Sequence, residues 1–176
     1  MLKRLPPADS ADPVERPALE PLRFREGMSR VAASVHVVTT DGPAGRAGFT
    51  ATAVAPVTDS PASLLVCVHA TGRSAEALTA NAVFCVNVLA ASDRDLAEAF
   101  AGRTGLAPKD RFAAGRWGAL STGAPVLETS LAAFDCRLVE ARLVATHHVV
   151  VGEVVDLSLG PHGTALVYRE RGYHGL

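Results

Sequence analysis

Aromatic residues, charge of one sign and long apolar runs are all scarce in this chain of 176 residues. Aromatic side chains make up 5% of it, and the formal net charge is −1 at pH 7. Because no cluster of Lys and Arg with interleaved aromatics occurs, a nucleic-acid partner is not predicted. No apolar run reaches the ~20 residues that a bilayer-spanning helix needs, and the first residues have no apolar centre, so neither a membrane anchor nor a signal peptide is predicted.

Cysteine is also rare. Cys67, Cys85 and Cys136 are odd in number, widely spaced, and each lies inside an apolar, strand-like pattern. Such residues are typical of small buried side chains in a cytoplasmic protein and not of a disulfide framework. A nucleophilic role is disfavoured because a thiol in apolar surroundings ionises poorly.

The common nucleotide-binding and nucleophile signatures are missing. No G-x-x-x-x-G-K-[ST] loop occurs, and Gly42, Gly45 and Gly48 are spaced three apart and are followed by a strand pattern instead of a helix. A Rossmann domain is therefore disfavoured. Neither S-x-x-K nor G-x-S-x-G is present, so the serine nucleophiles of those motifs are not predicted.

Most of the chain has the alternating or β-branched pattern of strands, with a few helical stretches between them. Residues 1–20 are rich in proline and charge and are predicted to form a disordered arm, followed by one domain over residues 21–176. Six or seven strands of this kind suggest a closed or nearly closed antiparallel barrel. The sequence predicts helices over residues 22–31, 74–80 and 92–101, a long loop over 102–118, and strands over 31–40, 46–53, 64–68, 84–89, 131–145, 148–159 and 165–168.

One stretch, residues 48–69, combines small hydroxyl-bearing residues with a turn and an apolar strand. Thr50 and Thr52 point to one face of an extended strand because side chains alternate. Small Ala51 and Ala53 beside them leave room for a polar group against the backbone. A turn is predicted over 57–61, and the apolar run over 64–68 predicts a strand buried on both faces.

The predicted helix after this stretch begins with Arg73 and Ser74. The free N–H groups of a helix N-terminus attract anions, and an arginine adds charge-assisted donors, so this segment could hold a phosphate. Spacing alone leaves an alternative open, in which the two threonines are ordinary strand residues and Ser74 is an ordinary helix cap.

Several short motifs follow one another in a fixed order along the chain. They are G-x-T-A at 48–51, V-T-x-S-P at 57–61, C-V at 67–68, F-x-V-N-V-L at 84–89, R-F at 111–112, H-x-x-x-x-G at 147–152 and G-Y at 172–173. No single motif is specific, but the ordered set resembles the flavin reductase-like family, whose members have an FMN-binding split barrel. The resemblance extends from about residue 22 to residue 173.

The resemblance implies a mainly β protein with a few helices, built as an antiparallel split β-barrel and assembled as a homodimer. It further implies an NAD(P)H:flavin oxidoreductase that transfers hydride from NADH or NADPH to FMN or FAD, with reduced flavin passed to a partner monooxygenase. Two alternatives stay open. The same fold could bind flavin without turnover, or it could reduce another acceptor such as a corrinoid or a ferric chelate.

The resemblance also implies which residues hold the cofactor. Many relatives have Asn-Ser where this chain has Thr52-Ala53, so individual hydrogen bonds are expected to differ while the location is kept. Asn87 is interpreted as structural in preference to a contact with the flavin edge, because a buried amide must find a partner. The implied cofactor-binding residues are Thr50, Ala51, Thr52 and Ala53 for the flavin, and Arg73 and Ser74 for its phosphate.

Two further segments are implied to border the site. Lys109 and Arg111 could contact phosphate, and Phe112 could cover a ring. The equal alternative is a solvated loop in which one aromatic side chain anchors the loop to the core. Tyr173 is predicted to close the site, and its alternative is a packed terminal anchor.

His147 matches the family's histidine, which implies a place beside the nicotinamide. The Gly-Asp that precedes it in relatives is replaced by Ala145-Thr146, so a carboxylate that could orient the imidazole is missing. His147 and His148 face opposite sides of a strand and cannot easily share one metal ion, so no metal site is predicted. We assign no function to three other histidines, His36, His69 and His162.

Overall fold

The computed structural model describes residues 19–176, so most of the arm predicted for residues 1–20 lies outside the described residues. Among the described residues, no helix is both long and apolar enough to span a bilayer. The helices are α1 (Pro21–Ser29), α2 (Arg73–Asn81) and α3 (Arg94–Phe100), and short 3-10 helices cover Ala91–Asp93 and Pro108–Ala114. The strands are β1 (Ala33–Ser34), β2 (His36–Thr40), β3 (Ala47–Ala51), β4 (Val54–Asp59), β5 (Ala62–His69), β6 (Val83–Val88), β7 (Trp117–Ala119), β8 (Pro125–Leu127), β9 (Ala132–Val144), β10 (His147–Leu159), β11 (Leu166–Arg169) and β12 (Gly172–Gly175).

Most of the strands form one seven-stranded antiparallel sheet in the order β3-β2-β6-β9-β10-β5-β4. Smaller sheets contain β1-β11-β12 and β7-β8. The predicted mainly β class with a few helices is therefore confirmed. The predicted closure is not made by a strand ladder, because β3 and β4 are the two edges of the large sheet. Between these edges the chain bends at Thr52, and the amide of Cys67 in β5 donates to the carbonyl of Ala53 at 3.0 Å.

Strand β5 differs from its prediction. Leu64, Val66 and Val68 are buried, but Leu65 and Cys67 on the other face are only half-buried. The expectation of burial on both faces, and of a buried Cys67, is therefore wrong. The physical reason is that Leu64, Val66 and Val68 belong to the apolar core, while Cys67 on the other face borders an open cavity.

Two local predictions also need correction. Strand β4 continues to Asp59, past the point where a turn was expected to begin at Val57. The α-helix predicted over 92–101 begins only at Arg94, since Ser92 lies inside the preceding 3-10 helix and Asp93 occupies the N-cap position of α3. The carboxylate of Asp93 accepts a hydrogen bond from the amide of Ala90 at 3.1 Å.

The core consists of apolar clusters on the two faces of the sheet. One contains Val38, Val66, Phe84, Val86 and Val150 at its centre. A second packs β2 against α3 and the 3-10 helix over 108–114. A small third cluster lies around Cys85 and Ala133. Two cysteines are fully buried in the sheet, and burial raises the pKa of the Cys136 thiol to about 12 and also raises that of Cys85. Both thiols are therefore unreactive at neutral pH, as the sequence predicts.

Asn87 is fully buried in β6, and its side-chain amide is hydrogen-bonded to other strands. Its Nδ2 donates to the carbonyl of Val37 at 2.9 Å and to Oγ1 of Thr39 at 3.2 Å. Its Oδ1 accepts from the amide of Leu127 at 2.7 Å. The structural interpretation of Asn87 is therefore confirmed, because this side chain joins three separate strands.

His36 is 8% exposed, and burial lowers the pKa of its imidazole. As the pH falls, the unfolded chain therefore binds this proton before the folded chain does. We expect the free energy of unfolding to decrease once the pH drops below the ordinary histidine pKa of about 6.5, by up to about 1.4 kcal/mol per pH unit. Urea denaturation at a series of pH values between about 7 and 5 should show a smaller loss in His36→Leu than in the wild type. Equal losses in the two proteins would mean that His36 does not titrate as its burial implies.

Candidate functional site

Edge strand β3 and the bend after it line an open cavity of about 760 Å³, which we call the edge cavity. Thr50, Ala51, Thr52 and Ala53 all lie on its wall, as the sequence predicts for a shared site. The other residues that line it come from α1, β5, the start of α2, the end of α3 and the β9–β10 hairpin, and they include Phe24, Cys67, His69, Ser74, Ala101 and His147.

Two hydroxyl groups at the edge cavity also form hydrogen bonds that connect the neighbouring helices and strands. Oγ1 of Thr50 donates to the carbonyl of Ala97 in α3 at 2.6 Å. Oγ of Ser74 donates to the carbonyl of Gly48 in β3 at 3.1 Å. Both hydroxyls are therefore used as donors within the protein and keep lone pairs to accept a bond. Ser74 is not a helix cap, because Gly72 occupies the N-cap position of α2.

A second opening of about 690 Å³, the cationic cavity, shares Gly72 and Ser74 with the edge cavity. Four basic side chains line it: Arg46, Arg73, Lys109 and Arg111. Arg46 pairs with Asp41 at 2.8 Å. Within residues 19–176 the other three cations form no ion pair.

Arg111 is the most informative of these cations. It is half-buried, and its Nε has no hydrogen-bond partner among the described residues. A buried guanidinium N–H without an acceptor is costly, and guanidinium groups match phosphate oxygens in geometry. Because the N-terminus of α2 opens onto the same cavity and also favours an anion, the arrangement suits a phosphate group.

His147 stands opposite His69 in the β5–β10 ladder, and the ring centroids are 5.1 Å apart in an edge-to-face arrangement. Nδ1 of His147 lies 2.9 Å from Oγ1 of Thr146. Nδ1 of His69 lies 3.0 Å from Oγ1 of Thr71. Each imidazole therefore has a threonine hydroxyl within hydrogen-bond distance. Sequence reasoning gave His69 no function, and only the β5–β10 register would have placed it beside His147.

Tyr173 in β12 lines a small pocket of about 180 Å³ together with Thr50 and Thr52, so it lies next to the edge cavity. Its ring packs on Tyr168 at 5.1 Å, and burial raises its pKa. Arg103 lines the same pocket, and sequence reasoning did not single it out.

Phe112 is not brought to the site. It is 9% exposed and packs edge-to-face on Phe100 and Trp117 at 5.0 and 5.1 Å. It lines neither the edge cavity nor the cationic cavity. Its placement therefore supports the anchoring-aromatic alternative over the expectation that it covers a bound ring.

The open, largely apolar edge cavity joins the cationic cavity at the N-terminus of α2. This arrangement offers space for a flat ring beside cations for a phosphate, which is typical of a domain that binds a nucleotide-type cofactor. The chain belongs to the flavin reductase-like family, since the model for the flavin reductase like domain matches residues 28–176. It is therefore an oxidoreductase of the flavin reductase class, and the resemblance predicted from the motifs is confirmed.

Individual relatives agree with this assignment. FMN reductase (NADH) RutF of Ancylobacter novellus is 49% identical over 160 residues, which cover 91% of this chain and 87% of that protein. The crystal structure of a putative flavin reductase from Haemophilus somnus 129PT matches with a TM-score of 0.86 and 40% identity, covering 90% and 100% of the two chains. BorF, the flavin reductase component of a bacterial two-component tryptophan halogenase, matches with a TM-score of 0.82 and 30% identity over 89% and 98%.

Proposed function

We propose that this protein is an NADH-dependent FMN reductase that holds the flavin ring in the edge cavity and the flavin phosphate in the cationic cavity. The observation that carries the proposal is the junction of the two cavities at Gly72 and Ser74. Its support is the similarity to the FMN reductase (NADH) of Ancylobacter novellus. Bound FMN supplies the acceptor for a hydride from NADH, which is chemistry of the cofactors and not of a side chain.

The residues of both cavities fit this cofactor. Arg111 brings an N–H that has no acceptor in the described part of the chain, and Arg73 and Lys109 bring further positive charge for the phosphate. The small side chains of Ala51 and Ala53 leave the backbone of the bend open to a flat ring. We further propose that the contact between Ala53 and Cys67 is the seam at which the sheet closes into a split barrel.

The protein's contribution to hydride transfer is orientation. Holding two reacting rings in one geometry removes much of the entropic barrier and needs no general base. The paired imidazoles of His147 and His69 are exposed at the rim of the edge cavity, where a second flat ring would approach. We propose that His147 flanks the nicotinamide of NADH there, held by the Thr146 hydroxyl.

Replacing His147 with alanine should lower kcat/KM for NADH about tenfold, which corresponds to about 1.4 kcal/mol of lost transition-state stabilisation. The Kd for FMN should stay unchanged, because the imidazole is placed toward the second substrate. Initial rates at saturating FMN and a separate FMN titration measure the two effects. His162→Ala, in an exposed loop, serves as the control and should change neither kcat/KM for NADH nor the Kd for FMN. A weakened FMN affinity with unchanged NADH kinetics would reassign His147 to the flavin.

We propose that reduced flavin is released to a partner monooxygenase and that the enzyme is a homodimer. Release to a partner is supported by the similarity to BorF, which is the flavin reductase component of a two-component system.

The homodimer is supported by exposed apolar side chains on α1 and the β9–β10 hairpin, among them Leu22, Phe24, Val139 and Leu143. Sedimentation velocity at micromolar concentration tests the dimer. The cytoplasmic location stays a prediction.

Adding NADH and a catalytic amount of FMN to the purified chain tests the proposed activity. We expect NADH consumption that depends on both the protein and FMN. FMN binding without NADH consumption would favour the alternative of a non-catalytic flavin-binding protein. Consumption with a ferric chelate or a corrinoid but not with FMN would favour the other acceptor class.

A further inference from the structure

Helix α1 presents an apolar stripe that is not packed onto the core. No residue of α1 is buried within the described part of the chain. Phe24 and Met28 in α1, and Val31 just after it, have helical spacing, and each is more than half exposed. Such a stripe normally packs against other apolar side chains. Here it borders an open groove of about 530 Å³, which we call the helix groove.

Polar contacts hold α1 beside this groove. The carboxylate of Glu26 pairs with Arg171 in the β11–β12 turn at 2.7 Å. The amide of Glu170 in the same turn donates to the carbonyl of Ser29 at 2.6 Å. A helix of nine residues is marginal in isolation, so these contacts fix the place of α1 while its apolar stripe stays accessible.

The helix groove and the edge cavity meet at one place. Phe24, Thr52 and Ala53 line both of them. Thr52 and Ala53 form the bend after β3, and both are exposed. The walls of this junction are therefore an aromatic ring from α1 and the open backbone of the bend.

Phe24 is the most accessible phenylalanine of the edge cavity. Of the other two that line it, Phe100 is 2% exposed, and Phe49 packs against the core cluster that contains Val38. Phe24 is 58% exposed. Aromatic rings in contact gain free energy beyond the burial of their area, so this ring suits a flat aromatic ligand.

The paired imidazoles lie at another part of the edge cavity. The amide of Cys67 donates to the carbonyl of Ala53 at the bend, and His69 lies two residues further along β5, about 7 Å away. His147 stands opposite His69. A flat ring that is covered at the bend therefore keeps its other end free for a second ring at the imidazoles.

We propose that Phe24 is a positioning residue for the flavin, and that its phenyl ring covers the end of the flavin ring that lies beside the bend. The end toward His147 stays open to the nicotinamide. This contact rests on the proposed function, because it requires flavin in the edge cavity. It gives α1 a part in the site that neither the motifs nor the cationic cavity indicates.

Fluorescence titration of flavin with the wild type and Phe24→Ala tests the contact. We expect the Kd for FMN and the Kd for riboflavin to rise by the same factor, about fivefold to tenfold, because a ring contact does not involve the phosphate. Met28→Ala is the matched control, since Met28 lies one turn further along the stripe and lines the helix groove but not the edge cavity. Both constants should stay unchanged in Met28→Ala.

Phe24→Trp adds a measurement that a merely structural role would not change. An indole in van der Waals contact with a flavin quenches its emission by electron transfer. FMN bound to Phe24→Trp should therefore be less fluorescent than FMN bound to the wild type. Equal emission from the two saturated proteins would show that position 24 does not touch the flavin ring, and the proposal would fail.

Exposed side chains of α1 also support the proposed homodimer, so sedimentation velocity of each variant separates a flavin contact from a dimer contact. We expect Phe24→Ala to sediment as the wild type does. The proposal is overturned if the loss of affinity accompanies loss of the dimer, if Met28→Ala weakens binding equally, or if Phe24→Ala changes only the NADH kinetics. Unchanged flavin binding in Phe24→Ala overturns this contact alone, whereas a wild type that binds no FMN overturns the proposed function as well.

Discussion

Replacing Arg111 with glutamine is expected to raise the Kd for FMN about tenfold to a hundredfold and to leave the Kd for riboflavin unchanged. A hydrogen bond to a charged group is worth about 1.5–3 kcal/mol, and Arg111 offers an Nε donor that no residue of 19–176 accepts. This Nε is buried, and Arg111 lines the cationic cavity with Arg73 and Lys109. Riboflavin lacks the phosphate, so it reports only on the ring and the ribityl chain.

Quenching of flavin fluorescence on titration with protein measures both constants under one condition. Arg116→Gln is the matched control, because Arg116 has an 84% exposed side chain, pairs with Glu128 and lines neither cavity. Arg111→Lys should fall between the wild type and Arg111→Gln, since lysine keeps the charge but not the planar fork. Equal weakening of FMN and riboflavin would show that Arg111 supports the fold of the site and does not bind phosphate.

Replacing Asn87 with leucine is expected to lower the free energy of unfolding by about 2–4 kcal/mol. The leucine is close in size, but it leaves the amide of Leu127 and the carbonyl of Val37 buried without their side-chain partner. Each such orphaned group costs about 1–3 kcal/mol. The Kd for FMN should not change in the folded protein, because Asn87 lines neither the edge cavity nor the cationic cavity.

Urea denaturation of the flavin-free protein measures this loss, and an FMN titration well below the unfolding transition measures affinity. Thr129→Ala is the control, since it removes one exposed hydrogen bond to Asp93 and should cost within about 0.5 kcal/mol. A variant with wild-type stability and weakened FMN binding would instead support the contact with the flavin edge that we considered from the sequence.

The sequence was sufficient for those elements whose signals are local. Helix α2 was predicted over 74–80 and covers Arg73–Asn81, and the two long strands of the β9–β10 hairpin were predicted within one residue at every end. Alternating or helical periodicity determines such elements without reference to distant parts of the chain. The grouping of Thr50, Thr52, Ser74 and His147 around one cavity came from family resemblance and not from periodicity.

Features that depend on contacts between distant residues were not predictable in the same way. The hydroxyl of Thr50 bonds to Ala97, and His69 meets His147, only because particular strands and helices become neighbours. Phe112 lies in an irregular loop whose pattern does not show whether a ring points to the core or to a cavity. The edges of the sheet are likewise decided by where the chain bends, at Thr52, and not by the strand pattern itself.

Anaerobic stopped-flow mixing of NADH with the FMN-loaded protein tests the central claim most directly. The absorbance of oxidised FMN should disappear in a single phase whose rate saturates with NADH and far exceeds the rate without protein. In Arg111→Gln the same rate should be reached only at higher FMN concentration. If the FMN absorbance decays no faster in the presence of protein than in buffer, the joined cavities do not bring NADH and FMN together, and the proposed function is wrong.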